Sequence, residues 1–389
     1  MDKKILLYNK PVIVNDALWV SSLNDNGLYR ISNDNCQCEF IRMFPNESFS
    51  RGYLHSSSVR YGNELFFVPF AGRYISSYCL DDGSMKCYKL DHYSDGMSSL
   101  FYTCVVEGDF LYLIPCRYEY IVEFNMKTSE INEYKIFDLA GKKQDEMDPF
   151  VLRGGCLGDG KIYLGENTRN RIIEFDINTK GLKEYVLEHD VCGISNLLYL
   201  NGEMWILGKN GSILYGDINK GEFVPLVGTE ICEAGHHGTY LDTLIDKKDI
   251  YVTKTSGRTI FKIDSEEKTI LKIVFGENHM GKSDFCPFDL LALYKTNGEI
   301  RALDSFNGMI YRYDCLNDKV LDEKFPCMTY EDIDYRKCRK EKKEISLGNV
   351  TRKGIELSTF LQCIHEGQYD QSITYEGMNG KSVLLYEGK

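Results

Sequence analysis

No run of this chain approaches the roughly 20 consecutive apolar residues of a membrane-spanning helix, so no such span is expected. At the N-terminus, MDKKILLYNKPVIV sets basic residues before a short apolar run. Asn9, Lys10 and Pro11 break that run before it reaches signal-peptide length. The short catalytic motifs are missing too: there is no HExxH, no GxSxG, no phosphate-binding P-loop and no GxGxxG. Zinc-type cysteine spacing is absent. Of 14 scattered cysteines the one close pair, Cys36 and Cys38, has no second pair at metal-site distance. Cys79, Cys87, Cys104 and Cys315 stand inside apolar stretches, where a thiol behaves as a small hydrophobe; free core thiols and a reducing cytoplasm are expected. Positive charge is in deficit, with 46 Lys plus Arg against 58 Asp plus Glu and a net charge of −12. Such a surface repels phosphate backbones and anionic lipid, which argues against nucleic-acid and membrane partners.

What the chain does have is a repeat. Gly158 to Glu188 shows it most fully: an Asp-Gly turn, the apolar strand Ile162 to Leu164, a polar loop, a second apolar strand Ile172 to Phe175, a turn from Asp176 to Gly181, and a third strand ending at Leu187. An aliphatic residue restarts a strand ten positions after the first at Leu18 and Leu28, Leu65 and Ile75, Leu111 and Ile121, Ile162 and Ile172, Ile250 and Ile260, and Ile300 and Ile310. Met204 and Ile213 miss by one. Asn125, Asp176, Asp217, Asp264 and Asp314 follow as turn residues. Successive units are 47, 46, 51, 42, 46 and 50 residues apart, and each has a further apolar strand ahead of it. Four strands per unit at this period predict an all-β, seven-bladed β-propeller over residues 1–330, with six or eight blades as alternative counts. Aromatics at 13% of the chain suit the wedge between twisted sheets. Residues 331–389 read as a charged, mostly helical extension packing on the propeller. Either the stretch 4–8 or its look-alike 382–386 is expected to close the ring.

In such blades two sets of connections emerge on opposite faces. One set is short and built of turn formers, as at Gly62-Asn63, Gly108-Asp109 and Asn201-Gly202; the other is longer and irregular, which is where binding usually resides. Six of seven histidines fall in the long set, His55, His92, His189, His236, His237 and His279, together with Arg73, Arg117, Arg169, Lys209, Lys254 and Arg258. Arg153 stands at the mouth of an inner strand. The expectation is a funnel at one end of the channel whose guanidinium groups and His236 bind carboxylate, phosphate or sulfate, with Tyr74, Tyr118, Tyr120 and Tyr240 able to stack on a ligand. If the site is catalytic, His55 and His237 are the imidazoles to act there, with Glu119 or Glu166 as acids, and a divalent metal ion is the cofactor such groups could hold.

Residues 158–187 resemble one repeat of the streptogramin lyase family and its propeller relatives, through Ile162-Tyr163, Glu166-Asn167, Asn170-Arg171-Ile172, Asp176, Thr179 and Glu184-Tyr185-Val186-Leu187. The resemblance implies the propeller fold. It also brings in magnesium-dependent elimination on a cyclic peptide, which keeps elimination or isomerisation open for this chain without transferring any active residue. Val151-Leu152-Arg153-Gly154-Gly155 stands where that family has a Pro-aromatic-Gly-Ile sequence. Three readings follow. The first is a cytoplasmic, bacterial-type scaffold binding an anionic small molecule, glycan or peptide at the long-loop face. The second is a metal-assisted lyase, isomerase or hydrolase acting on a peptide or carboxylated sugar there. The third is a protein-assembly module using its rim and the basic segment Arg336 to Lys343.

Overall fold

The repeat becomes a ring of seven four-stranded antiparallel sheets, each made of strands consecutive in sequence. The structure is a computed structural model that describes residues 6–32, 38–47, 52–137, 151–229, 240–276, 288–306 and 308–325. Blades 1 to 7 span residues 12–42, 55–89, 101–135, 152–186, 194–225, 240–274 and 290–325. No helix occurs among the described residues, and none is long and apolar enough to cross a membrane. The extension predicted at 331–389, and with it the stretch 382–386, lies outside the described residues.

Local chemistry accounts for the strand count. The two-residue turns Asn15-Asp16, Asp159-Gly160, Asn201-Gly202 and Asn297-Gly298 have positive φ at both positions, the backbone that joins twisted antiparallel strands most tightly. Between third and outer strands, the side chains of Asn125, Asp176, Asp217, Asp264 and Asp314 each accept from main-chain N–H groups two or three residues ahead, at 2.8 to 3.2 Å. Those bonds hold the Asp176 carboxyl below its ordinary pKa, the Thr179 N–H first among the causes.

All twelve aliphatic residues of the ten-residue pairs are buried, at 3% exposure or less. They build seven apolar clusters, one for each blade-to-blade interface, such as Phe66, Leu111 and Phe124 between blades 2 and 3, or Cys156, Ile172 and Met204 between blades 4 and 5. A lone sheet would leave these faces wet; a closed ring dries all of them at once. The ring closes without strand exchange. Leu6, Leu7 and Tyr8 precede the inner strand of blade 1 and pack with Leu291, Tyr294 and Leu303 of blade 7. Tyr8 also bridges Ser22. Of the two stretches expected to close the ring, residues 6–8 of the stretch 4–8 pack against both end blades.

The axial chamber

The first strands of the blades ring the axis: Val12–Val14, His55–Tyr61, Phe101–Glu107, Leu152–Gly158, Ile194–Leu200, Tyr240–Asp246 and Leu290–Thr296. In blades 2 to 7 the pairing of inner and second strand slips at the same place, between His55 and Ser57, Leu152 and Gly155, Ile194 and Asn196, Tyr240 and Thr243, and their equivalents. A bulge of this kind takes main-chain groups out of the ladder and turns them toward a new partner.

Blade 6 uses its bulge most fully. The hydroxyl of Tyr102, from blade 3 across the axis, donates to the Leu241 carbonyl at 2.8 Å. Arg153 of blade 4 donates from Nη2 to the Tyr240 carbonyl at 3.3 Å, its guanidinium 5.6 Å from the Tyr102 ring centre. Asp242 is the third acceptor. Its Oδ1 takes the Thr243 N–H at 2.8 Å and its Oδ2 takes the Leu293 N–H of blade 7 at 3.1 Å. The Lys10 ammonium completes the set, 3.1 Å from Oδ1. Lys10 is itself tied to blade 2, since Ser58 Oγ donates to its carbonyl at 2.9 Å and Asn9 donates to the His55 carbonyl at 3.3 Å. Burial pulls the Lys10 pKa down, but the Asp242 charge and hydrogen bond more than offset it, so the amine stays charged.

Lys10, Tyr102, Leu241 and Asp242 line a cavity of about 380 Å³ that runs along the inner strands from Asn9 and Ser56 to Tyr199 and Ile245. Toward the long-loop end Tyr53 and Phe70 stack with ring centres 4.4 Å apart, and both line it together with Phe288. Below the ion pair the lining turns apolar at Val105, Leu157, Leu198 and Leu244. Ile245, 40% exposed, opens it to solvent at the short-turn end. Gly154 lets blades 4 and 5 close in beside the chamber: its φ is +72°, and a Cβ there would stand 2.3 Å from Asn196 Oδ1.

The described residues expected to form a funnel have separate surroundings. Arg153, buried at 1% exposure behind the chamber, reaches the inner strand of blade 6. Arg258 is buried against Asp304, Nε to Oδ2 2.5 Å, and over the Tyr311 ring. Lys209 is buried, with its main-chain N–H on the Gly193 carbonyl; Arg117 is half-buried with its N–H on the Ser99 carbonyl. Lys254 lies over the Phe261 ring, 5.8 Å from its centre. Arg73 is half-buried, 3.8 Å from Asp95, and Arg169 is exposed, 3.5 Å from Glu166. Glu166 also pairs with Arg171, and Glu119 with Lys135. None of these side chains lines the chamber.

The histidines separate in the same way. His92 stacks on Tyr120 and sits 2.8 Å from Glu133 on an outer strand, while His189 meets the Phe223 carbonyl of another outer strand at 3.0 Å. Both therefore face the rim, a correction to the expected funnel, because their connections return along the outermost strand. His55 is buried between blades 1 and 2, its ring 4.3 Å from that of Phe44 and its Nδ1 2.9 Å from Ser21 Oγ. Burial lowers its pKa from 6.5 to about 3, so it is neutral, and its Nε2 has no partner among the described residues. His236, His237 and His279 lie outside the described residues. Among the described residues no three His, Cys, Asp or Glu side chains gather as metal ligands. Of the tyrosines, Tyr118 and Tyr240 are buried with hydroxyls on Glu133 and the Gly211 carbonyl.

Sequence reasoning missed Asn9, Lys10, Tyr102 and Asp242. A signal was present, since polar or small residues interrupt the apolar alternation at the start of inner strands, as in His55-Ser56-Ser57-Ser58 and Tyr240-Leu241-Asp242-Thr243.

No family model matches the chain, and no curated protein matches it. Solved structures do. A streptogramin B lyase aligns with a TM-score of 0.53 at 13% identity over 71% of this chain and 85% of its own. Virginiamycin B lyase from Staphylococcus aureus aligns at 0.55 and 13%, over 78% and 94%. A computationally designed protein aligns at 0.55 and 12%, over 85% and 91%. At such identities the likeness is one of fold: this chain is a β-propeller resembling the streptogramin lyases in architecture.

Proposed function

We propose that this propeller is a binding protein whose axial chamber holds a small carboxylate-bearing molecule, a short peptide above all, with Lys10 meeting the carboxylate. The observation that carries the reading is the Lys10 ammonium held in a cavity of about 380 Å³. That volume is near the low end for small-molecule sites, roughly 300 to 1,000 Å³, and mixed polar and apolar walls are typical of them. The apolar half at Val105, Leu157 and Leu198 favours a ligand with an aliphatic or aromatic part over a glycan. Lys10 stays protonated and burial pushes the Cys104 thiol up to about 11, so neither supplies a base or a nucleophile near neutral pH. The free, buried thiol at Cys156 supports a reducing compartment, in keeping with the cytoplasm.

The test is calorimetric titration and thermal shift with short apolar peptides, each beside its C-terminal methyl ester. Acids are expected to bind and raise the melting temperature, and Lys10→Met to weaken them on the order of 10-fold or more, the worth of one charge-assisted hydrogen bond. Equal binding of acids and esters, or unchanged binding by Lys10→Met, overturns the reading.

A further inference from the structure

Resting on that reading of the chamber, we infer that its ligand is a zwitterion, an amino acid or short peptide with both ends free, whose ammonium replaces Lys10 on Asp242 while its carboxylate pairs with the released Lys10. Lys10 and Asp242 are the only charged side chains among the described residues that line the cavity, and they differ in kind. Asp242 is fixed, with each carboxylate oxygen on a main-chain N–H, from Thr243 and Leu293, and its own N–H on Thr253 Oγ1 at 2.9 Å. Lys10 is the movable half. Its side chain is 38% exposed to the cavity against 8% for Asp242, and it hangs from a main chain anchored by Ser58.

Charge pairing then selects the ligand. A plain anion that draws Lys10 away leaves the enclosed Asp242 carboxylate unpaired, and a plain cation on Asp242 leaves Lys10 unpaired; either costs far more than the original contact returns. An anion that leaves the pair intact lies close to a second negative charge. A molecule with one charge of each sign exchanges one ion pair for two and strands nothing. The cavity volume limits such a ligand to a few residues, and the aromatic end at Tyr53, Phe70 and Phe288 accepts an apolar side chain.

The experiment is titration of the full chain with leucyl-phenylalanine, its N-acetyl form and its C-terminal amide. Free dipeptide is expected to bind, with either blocked form weaker on the order of 10- to 100-fold, as loss of a charged hydrogen bond implies. Lys10→Met is expected to weaken the N-acetyl form more than the free dipeptide, because the unpaired Asp242 then repels the one and still pairs with the ammonium of the other. If the N-acetyl form binds as tightly as the free dipeptide, the inference falls and carboxylate binding stands. If the amide binds as tightly as the free form, both fall, as they do if none of the three binds at millimolar concentration. All three ligands are compared on the unaltered protein, so the outcome does not depend on whether Asp242→Asn folds.

Discussion

Rim and axis handle charge in opposite ways. At the rim, cations and acids pair with neighbours in full view of water, as Arg30 does with Glu39 and Lys220 with Asp217. Each such pair contributes little, because solvent screens it. At the axis a few groups from distant blades converge on one bulge: Tyr102 from blade 3, Arg153 from blade 4 and Lys10 from ahead of blade 1 all donate to residues 240–242 of blade 6. Stitching across the ring is possible there because inner strands approach one another and a bulge frees their acceptors. An abundance of charge thus says little about where a propeller works. The sparse polar groups that reach the axis say more.

The contrast is sharpest in stability. Asp242→Ala strands the Lys10 ammonium and leaves the Leu293 and Thr243 N–H groups without their acceptor; a loss on the order of 3 kcal/mol is expected from urea unfolding, reduced from the fully buried case by the partial exposure of Lys10. Lys10→Met is expected to cost less, since an apolar chain of similar length leaves the Asp242 main-chain bonds in place. A loss at Asp242 no larger than that of an exposed pair would erase the distinction between axis and rim.

Acid is the next lever. His55 has a folded pKa of about 3, whereas an unfolded histidine titrates near 6.5, so between these values the unfolded chain binds a proton that the folded chain does not. Stability from this residue is complete above about pH 6.5 and declines as pH falls, by roughly 2 kcal/mol between pH 7 and 5. Comparing unfolding midpoints at the two pH values, His55→Phe is expected to remove that part of the decline. His92→Ala is expected to leave it in place. Were the two variants alike, His55 would not be the neutral, enclosed imidazole described above.

Smaller effects complete the ranking. Tyr102→Phe deletes the cross-axis bond to the Leu241 carbonyl and is expected to cost about 1 kcal/mol in the same assay. His92→Ala, on the exposed side chain paired with Glu133, is expected to change stability by about 0.5 kcal/mol or less. If the rim variant proved the costlier of the two, the ordering of the comparison would be reversed.

Much of the scaffold could be read before any coordinates. The aliphatic pairs ten residues apart became the buried spine of second and third strands, and Asn125, Asp176, Asp217, Asp264 and Asp314 became turn caps, because both depend on interactions within a few residues. The site was less legible. Arg73 and Arg153 look alike as loop-face arginines, yet one is half-exposed beside Asp95 and the other is enclosed at the axis. Composition of a loop does not state its distance from the centre of the ring.

The amino-acid sequence by itself determined the seven units, their strands and their turns, since strand alternation, positive-φ turns and side-chain caps are local physics repeated at a fixed period. The tertiary structure alone decided which side chains meet. Tyr102, Arg153 and Asp242 belong to blades that touch the axis from different directions and Lys10 precedes the first, and only closure of the ring, with the bulge at Tyr240 to Thr243 turning its acceptors inward, brings their charges and hydrogen bonds within reach of one another.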